Sequence, residues 1–249
     1  MELRIIPVRG IGEIEPGDDL AAVILGALEQ QGEPLLNHDI VVVTQKIVSK
    51  AEGQIVDPAT VEPSAFAQEL AQQGRKDARH YEVVLRQSRR VVRMDRGVLI
   101  TETKHGLICA NSGVDESNVG GGHLLTLLPE DPDASAASLC DVFAQRAGAR
   151  VAVIISDTFG RPWRMGQVNF AIGLAGMAPL RDYVGQRDPY GYELHVSVIA
   201  VADELASAAE LVMGKTDQVP VALIRGFAYT PTEGNARSLI RDPASDLFR

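Results

Sequence analysis

Apolar and polar positions along the chain change their period repeatedly, and each change marks an element. Leu3 to Val8 reads as a first strand, closing at the flexible turn Arg9-Gly10-Ile11-Gly12. Pro16-Gly-Asp-Asp19 supplies turn and N-cap chemistry for a helix from about Leu20 to Gln30. Asp39 to Val43 is a β-branched apolar run and predicts a buried strand. Pro63 to Gln73 and His80 to Gln87 predict helices, and Val91 to Thr103 predicts a hairpin around Arg96-Gly97. Asn118 to Gly122 reads as a loop. An amphipathic helix over Asp133 to Ala147 ends at Gly148, ahead of a strand from Val151 to Ile155. The Ala- and Gly-rich stretch from Gly166 to Gly176 fits tight packing against a neighbouring backbone. Leu194 to Val201 reads as a strand, Ala202 to Met213 as a helix stopped by Gly214, and Val219 to Arg225 as the last strand before a polar tail.

Strands and helices interleave without a consistent βαβ repeat, and no internal repeat or low-complexity linker interrupts them. With 249 residues, 45% hydrophobic and 23% charged, the chain has ample material for one large domain or two small ones. The net charge of -9 disfavours nucleic acid as a partner, because backbone binding needs a basic face. No signal peptide is expected at Met1, and no apolar run approaches the roughly 20 residues of a membrane span, so a cytoplasmic protein without membrane partners is expected. Two cysteines, Cys109 and Cys140, make neither a disulfide framework nor a zinc site and fit small buried residues. The five histidines show no metal-ligand spacing, and for His105 and His123 a polar loop role is the better reading.

Candidate chemistry concentrates in two stretches, Cys109-Ala-Asn-Ser-Gly-Val-Asp-Glu-Ser-Asn118 and Ile154-Ile-Ser-Asp-Thr-Phe-Gly-Arg-Pro-Trp-Arg-Met-Gly166. Each places an aspartate after an apolar run, where an unpaired buried carboxylate would be costly. Asp115, Asp157 and Thr158 therefore suit a hard cation such as Mg²⁺ or Mn²⁺ bridging to phosphate. The alternatives are an Asx-type turn at Asp115 and a helix cap at Ser156 or Asp157. Arg161 and Arg164 suit phosphate or carboxylate, and Trp163 fits a core anchor equally well. Lys46 and Lys50 suit nucleotide phosphates or, alternatively, form a solvated pair, one of which Glu52 would neutralise. Met213-Gly-Lys-Thr-Asp-Gln-Val219 offers Lys215, Thr216 and Asp217 in a turn, but the upstream glycine of a P-loop is missing.

These segments, with Pro7-Val-x-Gly10, Ser49-Lys-Ala-Glu-Gly53 and Asp182-Tyr-Val-Gly-x-x-Asp-Pro-Tyr-Gly191, resemble the coenzyme F420-0:L-glutamate ligases in order from residue 5 to about 226. The resemblance implies an α+β fold of mixed and antiparallel sheets with helices, arranged as a single ligase domain over residues 1–249, with two interleaved subdomains and an intertwined homodimer. It implies a GTP-dependent ligase that adds L-glutamate to the lactyl carboxylate of F420-0 and extends the tail through γ-linked glutamates. Mn²⁺ or Mg²⁺ and K⁺ are the implied ions. By position, Asp115 and Asp157 correspond to ligands of a first metal and Thr158 to a ligand of a second. Ile11, Gly12, Glu13, Ile14, Gln45, Lys46, Lys50 and Asn118 correspond to GTP contacts. The last nucleotide loop corresponds to Met213, Gly214, Lys215, Thr216, Asp217, Gln218 and Val219. That loop is one residue shorter here, and Lys215 stands where some members carry an acidic ligand. Either Asp217 takes that role, or Lys215 replaces one metal's charge, or the second ion binds more weakly. No flavin-binding C-terminal domain is expected.

The implied chemistry is transfer of the γ-phosphoryl group to a carboxylate, then displacement of phosphate by the glutamate amine, with Arg161 or Arg164 orienting the acidic substrate. The rivals are a same-fold ligase with another acidic acceptor and a GTP-binding regulatory protein without turnover.

Overall fold

The computed structural model describes residues 2–119 and 122–247, and the side chains of residues 117–119, 122 and 123 lie outside that description. In chain order the strands are β1 (Arg4–Val8), β2 (Ile40–Thr44), β3 (Ile55–Val56), β4 (Ser88–Asp95), β5 (Val98–Thr103), β6 (Ile108–Ala110), β7 (Asp115–Val119), β8 (Gly122–Thr126), β9 (Ala152–Arg161), β10 (Arg164–Ala175), β11 (Arg181–Asp182), β12 (Val198–Ile199) and β13 (Val221–Arg225). The helices are α1 (Leu20–Gln31), α2 (Gln45–Ala51), α3 (Ala65–Gln73), α4 (Ala78–Arg86), α5 (Pro132–Ala147) and α6 (Val201–Met213). The class is α+β, as the family resemblance implies.

A five-stranded sheet, order β1-β13-β2-β9-β10, forms the centre. Among the described residues only β2 and β9 pair in parallel, with Thr44 opposite Ser156. The sheet is apolar on both faces because helices cover both. Val41, Val43, Val153 and Ile155 pack under α1 and α5 with Ile24, Leu28 and Phe143. Ile40, Val42, Ile154 and Ala222 pack under α6 with Leu205, Ala206 and Ala209. That two-sided burial is why residues 40–43 read as an unbroken apolar run rather than an alternating one. Between α2 and α5 the chain builds a separate apolar core, in which Tyr81, Val84, Leu99, Val114 and Leu125 meet below α3 and α4.

Helix starts follow local capping. Asp19 accepts from the Ala22 N–H at the head of α1, and Asp131 accepts from the Ala134 N–H at the head of α5.

Three expectations are corrected. The strand from Val151 does not stop at Ile155: β9 runs to Arg161 and pairs with β10 around a tight turn in which Trp163 has φ of 57°. The outer part of this hairpin needs no apolar side chains because it extends past the covered sheet, so its polar residues hid its strand character. The segment from Asn118 to Gly122 is not simply a loop, since Asn118 pairs with His123 in the β7–β8 hairpin. The run from Leu194 to Val201 yields only the two-residue β12, on a surface arm where Val196 is 88% exposed, so its apolar residues do not mark a buried strand.

Candidate functional site

The parallel pair β2–β9 decides where the site lies. At its carboxyl end the two chains part: α2 begins directly after Thr44, while β9 carries on past Ser156. Crevices outside the carboxyl ends of parallel strands are recurrent ligand sites. Here a cleft of about 740 Å³ opens between the two paths. Its floor and walls include Ile11, Gly12, Glu13 and Ile14, Gln45, Lys46 and Lys50 of α2, Asp115, Asp157 and Thr158, and Gly214, Lys215, Gln218 and Val219. Segments far apart in sequence thus share one cavity.

Asp115 arrives from the other core. Between β6 and β7 the chain makes a tight turn with Asn111 at φ 53° and Ser112 at φ 54°. Strain of this kind persists only where surroundings hold it. Ser112 is anchored by its N–H to Thr101 Oγ1 (2.9 Å) and through its hydroxyl to Thr101 (2.8 Å) and Ser88 (2.8 Å). Asp115 then pairs with Lys46 Nζ at 2.5 Å. Its partner is a cleft lysine, which a local Asx turn would not produce.

Asp157 sits within β9, so it caps no helix. Its Oδ1 accepts from the Thr158 N–H at 2.8 Å. Burial, joined by the negative charge of Asp115, pushes its carboxyl group up to about 7 despite the Thr158 N–H, Lys215 and Lys46, which favour the anion. Ser156 Oγ and Asn111 Oδ1, both lining the cleft, are buried without a hydrogen-bond partner among the described residues. Two carboxylates and two unused buried oxygens, the Ser156 hydroxyl and the Asn111 amide oxygen, make a donor set that fits a hard divalent cation completing its shell with phosphate and water. No group of three or more His, Cys, Asp and Glu side chains forms a cage among the described residues. A cation here therefore depends on oxygens from a ligand.

Lys50 is buried and pairs with Glu13, which corrects the solvated-pair alternative for this residue. Glu52 neutralises neither lysine and instead bonds the Ser135 hydroxyl. On the far wall, Thr158 Oγ1 donates to Asn169 Oδ1 (2.6 Å), Asn169 Nδ2 donates to Glu210 Oε2 (3.0 Å), and Lys215 Nζ reaches Thr158 Oγ1 (2.6 Å) and Glu210 Oε1 (2.9 Å). Asn169 and Glu210 are site residues that the sequence reading missed. Their signals were a lone amide inside the run Val168 to Leu174 and an acid in the last turn of α6, where the helix dipole disfavours it.

Other expected site residues lie elsewhere. Arg161 is outside the cleft lining, and its Nη2 donates to the Met165 carbonyl at 2.8 Å. Arg164 and Trp163 sit at the exposed hairpin tip, Trp163 being 81% exposed, which corrects its reading as a core anchor. Met213 is buried under the sheet among the α6 core residues. Thr216 and Asp217 do not line the cleft; the Asp217 carboxylate folds over Gly214. The Asn118 side chain lies outside the described residues. Burial pushes the thiols of Cys109 and Cys140 up to about 12, in keeping with inert packing.

A family profile described as F420-0:Gamma-glutamyl ligase matches residues 10–226. The "Coenzyme F420:L-glutamate ligase" of Methanothermobacter thermautotrophicus (strain Delta H) is 44% identical over 252 aligned residues, covering 100% of both chains. The proteins of the same name from Methanopyrus kandleri and Methanocaldococcus jannaschii are 44% and 43% identical, covering 99% and 87% of this chain and 98% and 86% of their own.

Proposed function

The chain belongs to the F420-0:gamma-glutamyl ligase family, and on that premise we propose that it uses GTP to join L-glutamate to the lactyl carboxylate of F420-0 and then extends the tail through γ-linkages. One observation carries this reading. A single cleft sets Asp115 and Asp157 against each other and surrounds them with Lys46, Lys50 and Lys215. Such an arrangement suits a polyanion accompanied by a cation, and it suits a free carboxylate or a neutral ligand poorly.

In this reading Lys46, Lys50 and the glycine-bearing turn Ile11 to Ile14 hold the nucleotide, with Gln45, Asn118 and the loop after α6 completing its contacts. Asp115 and Asp157 hold Mn²⁺ or Mg²⁺, which supplies Lewis-acid neutralisation of phosphate charge when bound. An amide cannot form directly from a carboxylate and an amine at useful rates, because hydroxide is a poor leaving group. The F420-0 carboxylate oxygen attacks the γ-phosphorus, GDP departs, and an acyl phosphate results. The glutamate nitrogen then attacks the acyl carbon, releasing inorganic phosphate and a proton. The walls of the cleft contribute alignment and a fixed electrostatic environment. K⁺ enters the proposal from the family resemblance only.

The test is incubation with F420-0, L-glutamate, GTP and Mn²⁺, with products read by mass spectrometry and GDP by chromatography. Stepwise addition of glutamate residues with one GDP each is expected. Asp157→Asn is expected to lower turnover at least about 100-fold, the loss of several kcal/mol of charge stabilisation, while the fold persists. Unchanged turnover in that variant would refute the metal assignment. GTP bound without GDP release under any acceptor would point to a regulatory protein instead.

A further inference from the structure

The Thr158 side of the cleft holds its own positive charge. Lys215 Nζ bonds both Thr158 Oγ1 and Glu210 Oε1, while Asn169 bridges the same two residues through its amide. Asn169 is buried, and its orientation is fixed at both ends, so the carboxylate and hydroxyl that receive the ammonium are set before Lys215 arrives. The oxygens that another cation would need here are thus already engaged. Glu210 uses Oε1 for Lys215 and Oε2 for Asn169, and the Thr158 hydroxyl donates to Asn169 while accepting from Lys215.

We propose that Lys215 is the resident cation of this position. Its ammonium, steered by Glu210 and Asn169, neutralises the terminal phosphate from the Thr158 side, so that the chain binds a single divalent ion, at Asp115 and Asp157. This rests on the nucleotide-dependent function proposed above and specifies how that site divides its positive charge.

Three further features favour this role over an ordinary surface ion pair, which would contribute little. An ammonium has three donors, and the two contacts leave one for an anionic ligand. Glu210 stands in the last turn of α6, where the helix dipole opposes a carboxylate, so an unpaired acid there would be unfavourable. The poles of the cleft also differ in balance. Of Asp115 and Asp157 only Asp115 has a lysine in direct contact, Lys46, while Lys46 and Lys215 reach Asp157 at longer range; Glu210 is matched one for one by Lys215 in direct contact. The first pole has two carboxylates for one contacting ammonium, and the second has one for one. Gly214 at φ 60° makes the geometry possible, since the chain turns there from α6 and the Asp217 carboxylate occupies the space a Cβ would take. Glu210 and Asn169 act through Lys215 and are positioning residues.

The experiment counts Mn²⁺ by calorimetry and electron paramagnetic resonance, using full-length protein saturated with a non-hydrolysable GTP analogue. The expected count is one ion per chain for the wild type and two for Lys215→Glu, where a carboxylate joins Glu210. A wild-type count of two, or a Lys215→Glu count of one, overturns the inference and leaves the proposed function standing. Lys215→Gln is the second variant: its count stays at one, and analogue affinity falls about tenfold at saturating Mn²⁺. Unchanged affinity there also overturns the inference. Failure of a fluorescent GTP analogue to bind the wild type overturns the proposed function, and the inference with it. The Lys215 side chain is 60% exposed, so both variants keep the packing, which circular dichroism verifies.

Discussion

Asp157 combines burial with a neighbouring acid, and the consequence is a pH dependence of definite sign. Burial, with the charge of Asp115, pushes its carboxyl group in the folded chain up to about 7 from an ordinary value of 3.8. Between those values the folded chain holds a proton that the unfolded chain has released, so stability falls as pH rises through the window and the loss is complete above about 7. Asp157→Asn removes the dependence. In the presence of a chelator the variant is expected to melt roughly 4–10 °C above the wild type at pH 8, and close to it near pH 4. Melting curves across pH check this, and equal melting temperatures at pH 8 would deny the burial. Mn²⁺ affinity is correspondingly expected to rise with pH up to about 7, because the ion displaces the proton. Asp115 and Asp157 were legible in the sequence because an acid following an apolar run has no packing explanation. Lys50 was harder to read, since a lysine in a polar segment normally faces solvent and its partner Glu13, itself exposed, lies 37 residues away. Asn169 and Glu210 were invisible as a pair because 41 residues separate the amide from the acid it orients.

The elements hold these side chains only if α5 stays tight on the sheet, and Gly173 in β10 sets that distance. A Cβ there would lie 2.3 Å from the Pro132 carbonyl oxygen and 2.5 Å from its carbon, both backbone atoms at the head of α5. The helix start cannot yield easily, because Asp133 Oδ1 accepts from the N–H groups of Leu174 and Ala236. Gly173→Ala is therefore expected to destabilise the fold by roughly 1–3 kcal/mol, read from urea unfolding. A wild-type midpoint would mean that α5 rides on the sheet without constraint. The Ala- and Gly-rich composition of residues 166–176 already pointed to close backbone approach. What composition did not reveal was that the stretch is itself a strand, or that β9 extends far enough to pair with it. Apolar periodicity reports burial against a core, so it found the covered half of β9 and lost the half whose partner is β10 alone. The same limit produced the opposite error in the arm from Leu194, where exposed apolar residues imitated a buried strand.

For the whole molecule, the homodimer implied by the family resemblance can be tested on one edge. Among the described residues β4 pairs only with β5, and seven of its eight residues are exposed. Val91, Val92 and Met94 on β4 and Val98 beyond the turn are all 36–50% exposed. A long edge strand carrying apolar side chains is a template for pairing with another chain, and monomeric proteins usually blunt such edges. Arg89 and Arg90 supply some blunting, but Glu102 contacts both, which reduces their net repulsion of a second copy. The homodimer implied by the resemblance is expected to cover β4 with a second copy of this chain. A closed two-fold contact would satisfy the edge on both copies at once and leave none open for further growth. Sedimentation at micromolar concentration is then expected to give twice the 26.8 kDa of one chain, with β4 amides slow in hydrogen exchange although β4 is exposed in the single chain. A mass of one chain would remove the dimer. A dimer whose β4 amides exchange at unprotected rates would place its interface elsewhere, with the exposed side chains Trp163, Met165 and Tyr190 as the next surfaces to probe.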